Sequence, residues 1–222
     1  MPDPGIVFLF DVDNTLLDND QVTADLRRHL DLNVGPEKAR RYWELFETMR
    51  AEIGYADYLG ALQRYRMEHP HEPQLLPVSY FLLGYPFANR LYPGSLDAVE
   101  RVRPWGTPVI LSDGDVVFQP RKVYRSGLYE RFGGNVLIYI HKEAELRDVE
   151  SKYPARHYVM IDDKVRLLTA IKNIWGGRVT TVFVRQGHYA LDTEKVAQYP
   201  PADVTIERIA DLTQFTVADF QG

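Results

Sequence analysis

The chain has 222 residues, enough for one large domain or one domain with an insert; 45% are hydrophobic and 26% charged, which calls for a packed core rather than disorder. A net charge of −5 argues against nucleic acid as a default partner, and the absence of cysteine excludes disulfides, thiolate nucleophiles and cysteine-ligated zinc. The opening MPDPG lacks the segments of a signal peptide, and no apolar run reaches the ~20 residues of a membrane span, so a cytoplasmic protein without a membrane partner is expected.

In chain order, the first element is the apolar run Ile6 to Phe10, which leads straight into Asp11, Val12, Asp13, Asn14 and Thr15. The run is β-branched and aromatic with no polar break, as in a strand buried on both faces of a parallel sheet. Asp11 and Asp13 stand at i and i+2, so an extended chain points both to one side. Two acids held close repel unless a cation lies between them. They suit a metal site, an acid/base pair, or a nucleophile beside a proton donor. The plainer reading is a strand end whose acids cap the next element.

From about 17 to 89 the pattern is helical, without strand alternation. Pro36 after Gly35 suits a first helical residue. Tyr42, Leu45, Phe46 and Met49 form one stripe; Tyr55, Tyr58, Leu59, Leu62 and Tyr65 form a second, read as packing. Arg27, Arg28 and His29 read as a solvated helix face. His69 and His71 sit in a Pro-broken loop, where no metal is expected. Val78 to Leu83 is apolar and stops at Gly84 and Pro86.

After Leu91, strand and helix alternate. Ser95 can cap a helix carrying Leu96, Val99 and Val102. A second buried strand, Thr107 to Leu111, ends in Ser112, Asp113 and Gly114, and a short helix is predicted over Pro120 to Ser126. Val136 to Ile140 is the third strand, ending in His141, Lys142 and Glu143, with a charged helix beyond. Tyr158 to Ile161 is the fourth, ending in Asp162, Asp163 and Lys164. A helix with Leu167, Leu168, Ile171, Ile174 and Trp175, closed by Gly176 and Gly177, follows, then a fifth strand, Val179 to Val184. Val204 and Ile206 are candidates for a short sixth. Alternation of this kind predicts an α/β fold, a Rossmann-like parallel sheet with helices on both faces.

In open α/β sheets ligands bind outside the carboxyl ends of the strands. That rule gathers Asp11, Asp13, Ser112, Lys142, Asp162 and Asp163 on one rim. Carboxylates without histidine or cysteine suit a hard cation, Mg²⁺ above all. Lys142, the Ser112 hydroxyl and the backbone N–H groups near Asp113 and Gly114 can bind phosphate oxygens. Each residue also has a plainer reading. Ser112 can cap a turn, Lys142 can be an ordinary first-turn lysine with Lys152 as rival, and Asp162/Asp163 can be a helix cap and a first-turn acid. Asp113 and Asp115 also read as turn residues. The loop Arg185 to Ala190 lies near the same rim, where Arg185 or His188 can face a substrate.

These four strand ends, in order, resemble the motifs of the haloacid dehalogenase superfamily: Asp11-x-Asp13-x-Thr15, Ser112, Lys142, and the pair Asp162/Asp163. The resemblance spans Ile6 to about Val184. It implies a core of 1–16 and 90–222 with an all-helical cap inserted at 17–89. It also implies a Mg²⁺-dependent phosphatase acting on a small phosphorylated metabolite through an aspartyl-phosphate. Asp11 would be nucleophile and metal ligand. Asp13 would be acid/base, its backbone carbonyl touching Mg²⁺. Ser112, Asp113 and Lys142 would hold the phosphoryl group, with Lys142 also balancing Asp11. Asp162 and Asp163 would hold the ion. The chain departs from many members in placing its motif-four acids side by side, with Val165, Arg166 and Leu167 where a later acid is common. Alternatives are a phosphomutase and a catalytically silent phospholigand-binding protein. Dehalogenation is a third chemistry, against which Asp13 speaks.

Overall fold

The computed structural model describes residues 5–220. Six parallel strands form one sheet in the order β3-β2-β1-β4-β5-β6. They are β1 (Ile6–Phe10), β2 (Gly106–Asp113), β3 (Val136–Tyr139), β4 (His157–Asp162), β5 (Val179–Val184) and β6 (Val204–Ile206). β1 pairs with β2 on one side and β4 on the other, so all five of its residues are buried. Alternation then divides it between the faces. Ile6, Phe8 and Phe10 join one apolar cluster, Val7 and Leu9 the other. This is the unbroken hydrophobic strand that a two-sided sheet demands.

The face of Val7 and Leu9 is covered by α8 (Leu146–Lys152) and α9 (Val165–Trp175), with Tyr158 stacked on Trp175. α10 (Gly187–Leu191) and α11 (Thr193–Val196) connect β5 to β6 on the same side. α5 (Ser95–Val102), α6 (Phe118–Arg125) and α7 (Leu128–Arg131) cover the other face with the C-terminal segment, whose Phe220 meets Phe8 edge-on. α6 begins at Phe118, two residues before the sequence places it, because the Asp115 carboxylate accepts from the Val117 and Phe118 amides and opens the turn early. The Lys142 segment differs too. Instead of opening a long charged helix, Lys142–Ala144 is a single 3₁₀ turn, and α8 starts only at Leu146.

Between β1 and α5 the chain forms four α-helices, α1 (Asn19–Asn33), α2 (Pro36–Ile53), α3 (Tyr58–Glu68) and α4 (Leu75–Gly84), and a 3₁₀ turn at Phe87–Arg90. Asp18 caps α1 by accepting from the Gln21 amide, and Asp57 caps α3 by accepting from Gly60. The expected stripes meet: Tyr42, Phe46 and Met49 of α2 are buried with Tyr58, Leu62 and Tyr65 of α3, and Phe46 stacks on Tyr58. Tyr55 is not part of that packing, because α3 begins only at Tyr58. The segment returns to the sheet through Tyr85 and Phe87, which pack toward Phe118. No helix among the described residues is long and apolar enough to cross a membrane.

Candidate active site

Strand order reverses at β1, and there the carboxyl ends of β1 and β4 lie side by side. The Asp11 amide donates to the Ile161 carbonyl at 3.0 Å, so Asp11 still follows the ladder while its side chain clears the sheet. Lys142, fully buried, reaches across the rim. Its Nζ lies 2.7 Å from Asp11 Oδ1, 2.6 Å from Asp162 Oδ2 and 3.2 Å from the Leu111 carbonyl. Burial disfavours the ammonium, but Asp11, Asp162 and Asp113 overcome it and hold its pKa above the ordinary lysine range. The 3₁₀ turn carrying Lys142 is anchored by its amide, which donates to Asp113 Oδ1 at 2.7 Å. Burial raises the Asp113 pKa against the pull of Lys142. Ser112 lies at the far side of Asp11, its Oγ 3.5 Å from Asp11 Oδ1 and accepting from Gln119 Nε2 at 3.0 Å.

Asp11, Asp162 and Asp163 each bring a carboxylate oxygen within 4.8 Å of the others, all buried. Asp162 meets Lys142 as an ion pair, and its Oδ1 accepts from the Lys164 amide at 2.8 Å. Asp11 Oδ2 and both oxygens of Asp163 are buried without a hydrogen-bond partner. Buried polar atoms are ordinarily paired, so unpartnered carboxylate oxygens within a cluster of three buried acids fit a cation site. Burial, helped by the neighbouring acids and opposed by Lys164, pushes the Asp163 pKa well above the carboxylate range; Asp162 is raised as well. An all-oxygen donor set of this charge fits a hard divalent ion.

The Asp13 carboxylate does not join that group. It turns to Lys122 on α6, whose Nζ donates to Asp13 Oδ1 at 2.6 Å and to Asn19 Oδ1 at 3.0 Å. Lys122 is 1% exposed, unusual for a lysine on a surface helix. Neither Lys122 nor Gln119 stands out in the sequence; their one shared signal is the i, i+3 spacing, which puts both on the same face of α6.

The next turn is built around Asn14, whose φ of 62° places it in the left-handed region. Its Oδ1 accepts from the Asn19 and Asp20 amides, and its Nδ2 donates to Asp20 Oδ1. Gly187 lies against it; a Cβ there would come 2.4 Å from Asn14 Cβ. His188 then holds Asp20 with its backbone amide and its Nδ1, at 2.8 and 2.6 Å. Arg185 instead pairs with Glu207 and does not line the cavity.

A cavity of about 780 Å³ opens between this rim and the inserted helices. Asp13, Asp113, Gln119, Lys122 and Lys164 line it from the sheet side. Arg27, Trp43, Phe46, Arg50, Tyr55 and Tyr58 line it from the helices. Two expectations need correction. Arg27 is not on a merely solvated face, because that face of α1 looks into the cavity; and His29 stacks on Phe81, with centroids 4.2 Å apart.

Residues 7–174 match the family model for haloacid dehalogenase-like hydrolases. A haloacid dehalogenase-like hydrolase from Burkholderia xenovorans LB400 is 61% identical in sequence, superposes with a TM-score of 0.92, and aligns over 97% of this chain and 100% of its own. The magnesium-bound YfnB of Bacillus subtilis shares the fold at 15% identity, with a TM-score of 0.62 over 96% of this chain and 98% of that one. So does the L-2-haloacid dehalogenase of Xanthobacter autotrophicus with chloropropionic acid covalently bound, at 19% identity, a TM-score of 0.59, and coverage of 94% and 96%. No curated protein matches. A family model that covers most of the chain, together with a relative this similar over its full length, places the chain among the haloacid dehalogenase-like hydrolases.

Proposed function

We propose that this hydrolase is a Mg²⁺-dependent phosphatase acting on a small phosphomonoester through an aspartyl-phosphate on Asp11. The observation that carries the reading is the buried triad of Asp11, Asp162 and Asp163, in which Asp11 Oδ2 and both Asp163 oxygens have no hydrogen-bond partner, with Asp13 two residues beyond the first of them. Mg²⁺ held by Asp11, Asp162 and Asp163 would supply the positive charge that lets a carboxylate approach an anionic phosphate.

The residues of this chain do the rest. Lys142 and Ser112 pin Asp11 Oδ1, which leaves Oδ2 free of hydrogen bonds. Asp11 attacks phosphorus as the ester P–O bond breaks, and Asp13 gives its proton to the departing oxygen. Asp13 then takes a proton from water, whose oxygen attacks phosphorus and releases Asp11. Lys122 occupies Asp13 Oδ1, so Oδ2 is the oxygen that carries the proton. Asp113 acts through Lys142, whose turn it fixes. The helices of 17–89 are the cap and 1–16 with 90–222 the core; the cavity draws its walls from both, which supports that division.

The test is turnover of a phosphate-ester panel with Mg²⁺ and with chelator, alongside Asp11→Asn. Mg²⁺-dependent phosphate release, abolished by Asp11→Asn, is expected. Halide release from 2-haloacids, independent of metal, would replace the proposal with dehalogenation. Phosphoryl return to a sugar faster than to water would replace it with a mutase. Ligand binding without turnover would leave a silent binding protein.

A further inference from the structure

The cavity is far larger than a phosphate, and its charges are unevenly matched. Its acids have partners: Asp13 has Lys122, Asp20 has His188, Glu47 has Arg50, and Asp113 has the Lys142 amide. Among the other lining cations, Arg166 pairs with Glu143 and Lys195 with Asp192, while Lys164 is held beside the acid triad. Arg27 has no carboxylate among the described residues. Its guanidinium lies 4.4 Å above the Trp43 ring, and the indole N–H of Trp43 is itself without an acceptor. Arginine stacked on an aromatic face keeps its in-plane donors free for a planar anion.

Helix geometry also sets roughly how far Arg27 lies from the chemistry. Asn19, Thr23 and Arg27 follow at i, i+4 and i+8 along one face of α1, and all three line the cavity. Asn19 is tied to Asp13 through Lys122, and Thr23 meets the Tyr58 hydroxyl at 2.7 Å. Eight residues of helix rise about 12 Å, and helical side chains lean toward the N-terminus, so the guanidinium lies on the order of 10 Å from the acid/base end. Phe46, Tyr55 and Tyr58 give the interval an aromatic wall.

We infer that Arg27 binds a second anionic group of the substrate at the end opposite the scissile phosphate. The substrate class is then a phosphomonoester carrying a carboxylate or a second phosphate about 10 Å from the first. This inference rests on the phosphatase reading for where the phosphate sits.

The experiment is calorimetric binding, in Mg²⁺, of non-hydrolysable ω-phosphonocarboxylates from phosphonoacetate to the eight-carbon member, each beside its neutral ω-carboxamide. The carboxylates are expected to bind about 10- to 100-fold tighter than their carboxamides, most strongly among the longer members. The preference disappears in Arg27→Met and survives in part in Arg27→Lys. Equal affinity for acid and amide at every length in the wild-type protein would overturn the inference, whether or not the variants fold. So would a preference that Arg27→Met leaves intact. α,ω-Bisphosphonates of the same lengths identify the distal group: tighter binding than the carboxylates assigns a phosphate, weaker binding a carboxylate. The ester panel reads separately. A length-dependent acid preference without ester turnover overturns the phosphatase reading and leaves an anion site at Arg27, whereas turnover with no acid preference overturns Arg27 alone.

Discussion

Replacing Lys142 by methionine keeps the length of the side chain and removes one charge from the centre of the rim. In the folded protein that ammonium lies 2.7 Å from Asp11 and 2.6 Å from Asp162, fully buried. At an effective dielectric of ~20, each contact amounts to about 6 kcal/mol of gross attraction. Desolvation of the lysine offsets most of that, so the net cost of truncation is about 3–5 kcal/mol, the range for removing one partner of a buried pair. Against a total stability of ~5–15 kcal/mol this is a large fraction, and it lowers Tm by about 6–20 °C in a chain of this size. The deficit is to be measured by urea unfolding in chelator. Mg²⁺ changes the comparison. With Lys142 gone, the three carboxylates have no equivalent counter-charge, so a divalent ion stabilises Lys142→Met more than wild type. An ion at ~100 times its Kd contributes about 2.7 kcal/mol by mass action. A loss below ~1 kcal/mol in chelator, or equal Mg²⁺ increments in both proteins, would refute the reading of Lys142 as counterion to a cation site.

Three further outcomes follow from particular contacts. Asp13→Asn slows alkyl phosphates at least about 10-fold more than aryl phosphates, because only the poorer leaving group needs the proton; equal slowing removes Asp13 as the acid. Gly187→Ala costs about 2 kcal/mol or more, since φ is +72° and the new Cβ meets Asn14, and a thermal melt indistinguishable from wild type would contradict the packing described. Asp25 accepts from Tyr85, Arg90 and Gln21, and these bonds overcome burial to hold its pKa below the carboxylate range. A depressed folded pKa stabilises above the unfolded pKa of ~3.9 and loses that contribution as pH falls through the folded value. Asp25→Asn therefore costs about 1–2 kcal/mol at neutral pH, and the gap to wild type closes below about pH 4. A gap that stays constant down to about pH 2 would contradict this.

Much of this arrangement was legible in the chain. An apolar strand end carrying an acid marks both a buried strand and the rim where its side chain emerges, so Asp11, Ser112, Lys142 and Asp162 could be placed together before any coordinates. Asp163 joins them because β4 ends at Asp162; had the strand continued, alternation would have turned the second acid to the other face. What could not be read depends on contacts between remote segments. Lys122 lies 109 residues from Asp13, and nothing local to α6 separates a lysine facing water from one folded under the insert. That the exposed face of Arg27 also lines the cavity is hidden for a related reason. Helical periodicity reports that a face is polar, and a cavity-facing position has the same polar signature as one in bulk solvent. The 3₁₀ turn at Lys142 was missed because it is fixed by Asp113, a residue on a different strand.

The rim alone does not separate the chemistries open to this family. A nucleophilic aspartate, a lysine beside it and a hydroxyl donor suit attack on carbon as well as on phosphorus. The distinction lies in the leaving group and in charge. A halide departs as a stable anion and needs no proton, whereas an ester oxygen departs as an alkoxide and does. A haloacid brings one negative charge to Asp11, and Lys142 can balance that; a phosphate dianion brings two. Both differences bear on the proposed phosphatase reading. The structure holds a carboxylate at Asp13, tethered through one oxygen by Lys122 with the other left over, and it buries Asp163 beside Asp11 with neither carboxylate oxygen hydrogen-bonded. Dehalogenation leaves Asp13 without a task and Asp163 as an unrelieved cost. Phosphoryl transfer uses both, and that economy favours it over every chemistry that needs the nucleophile alone.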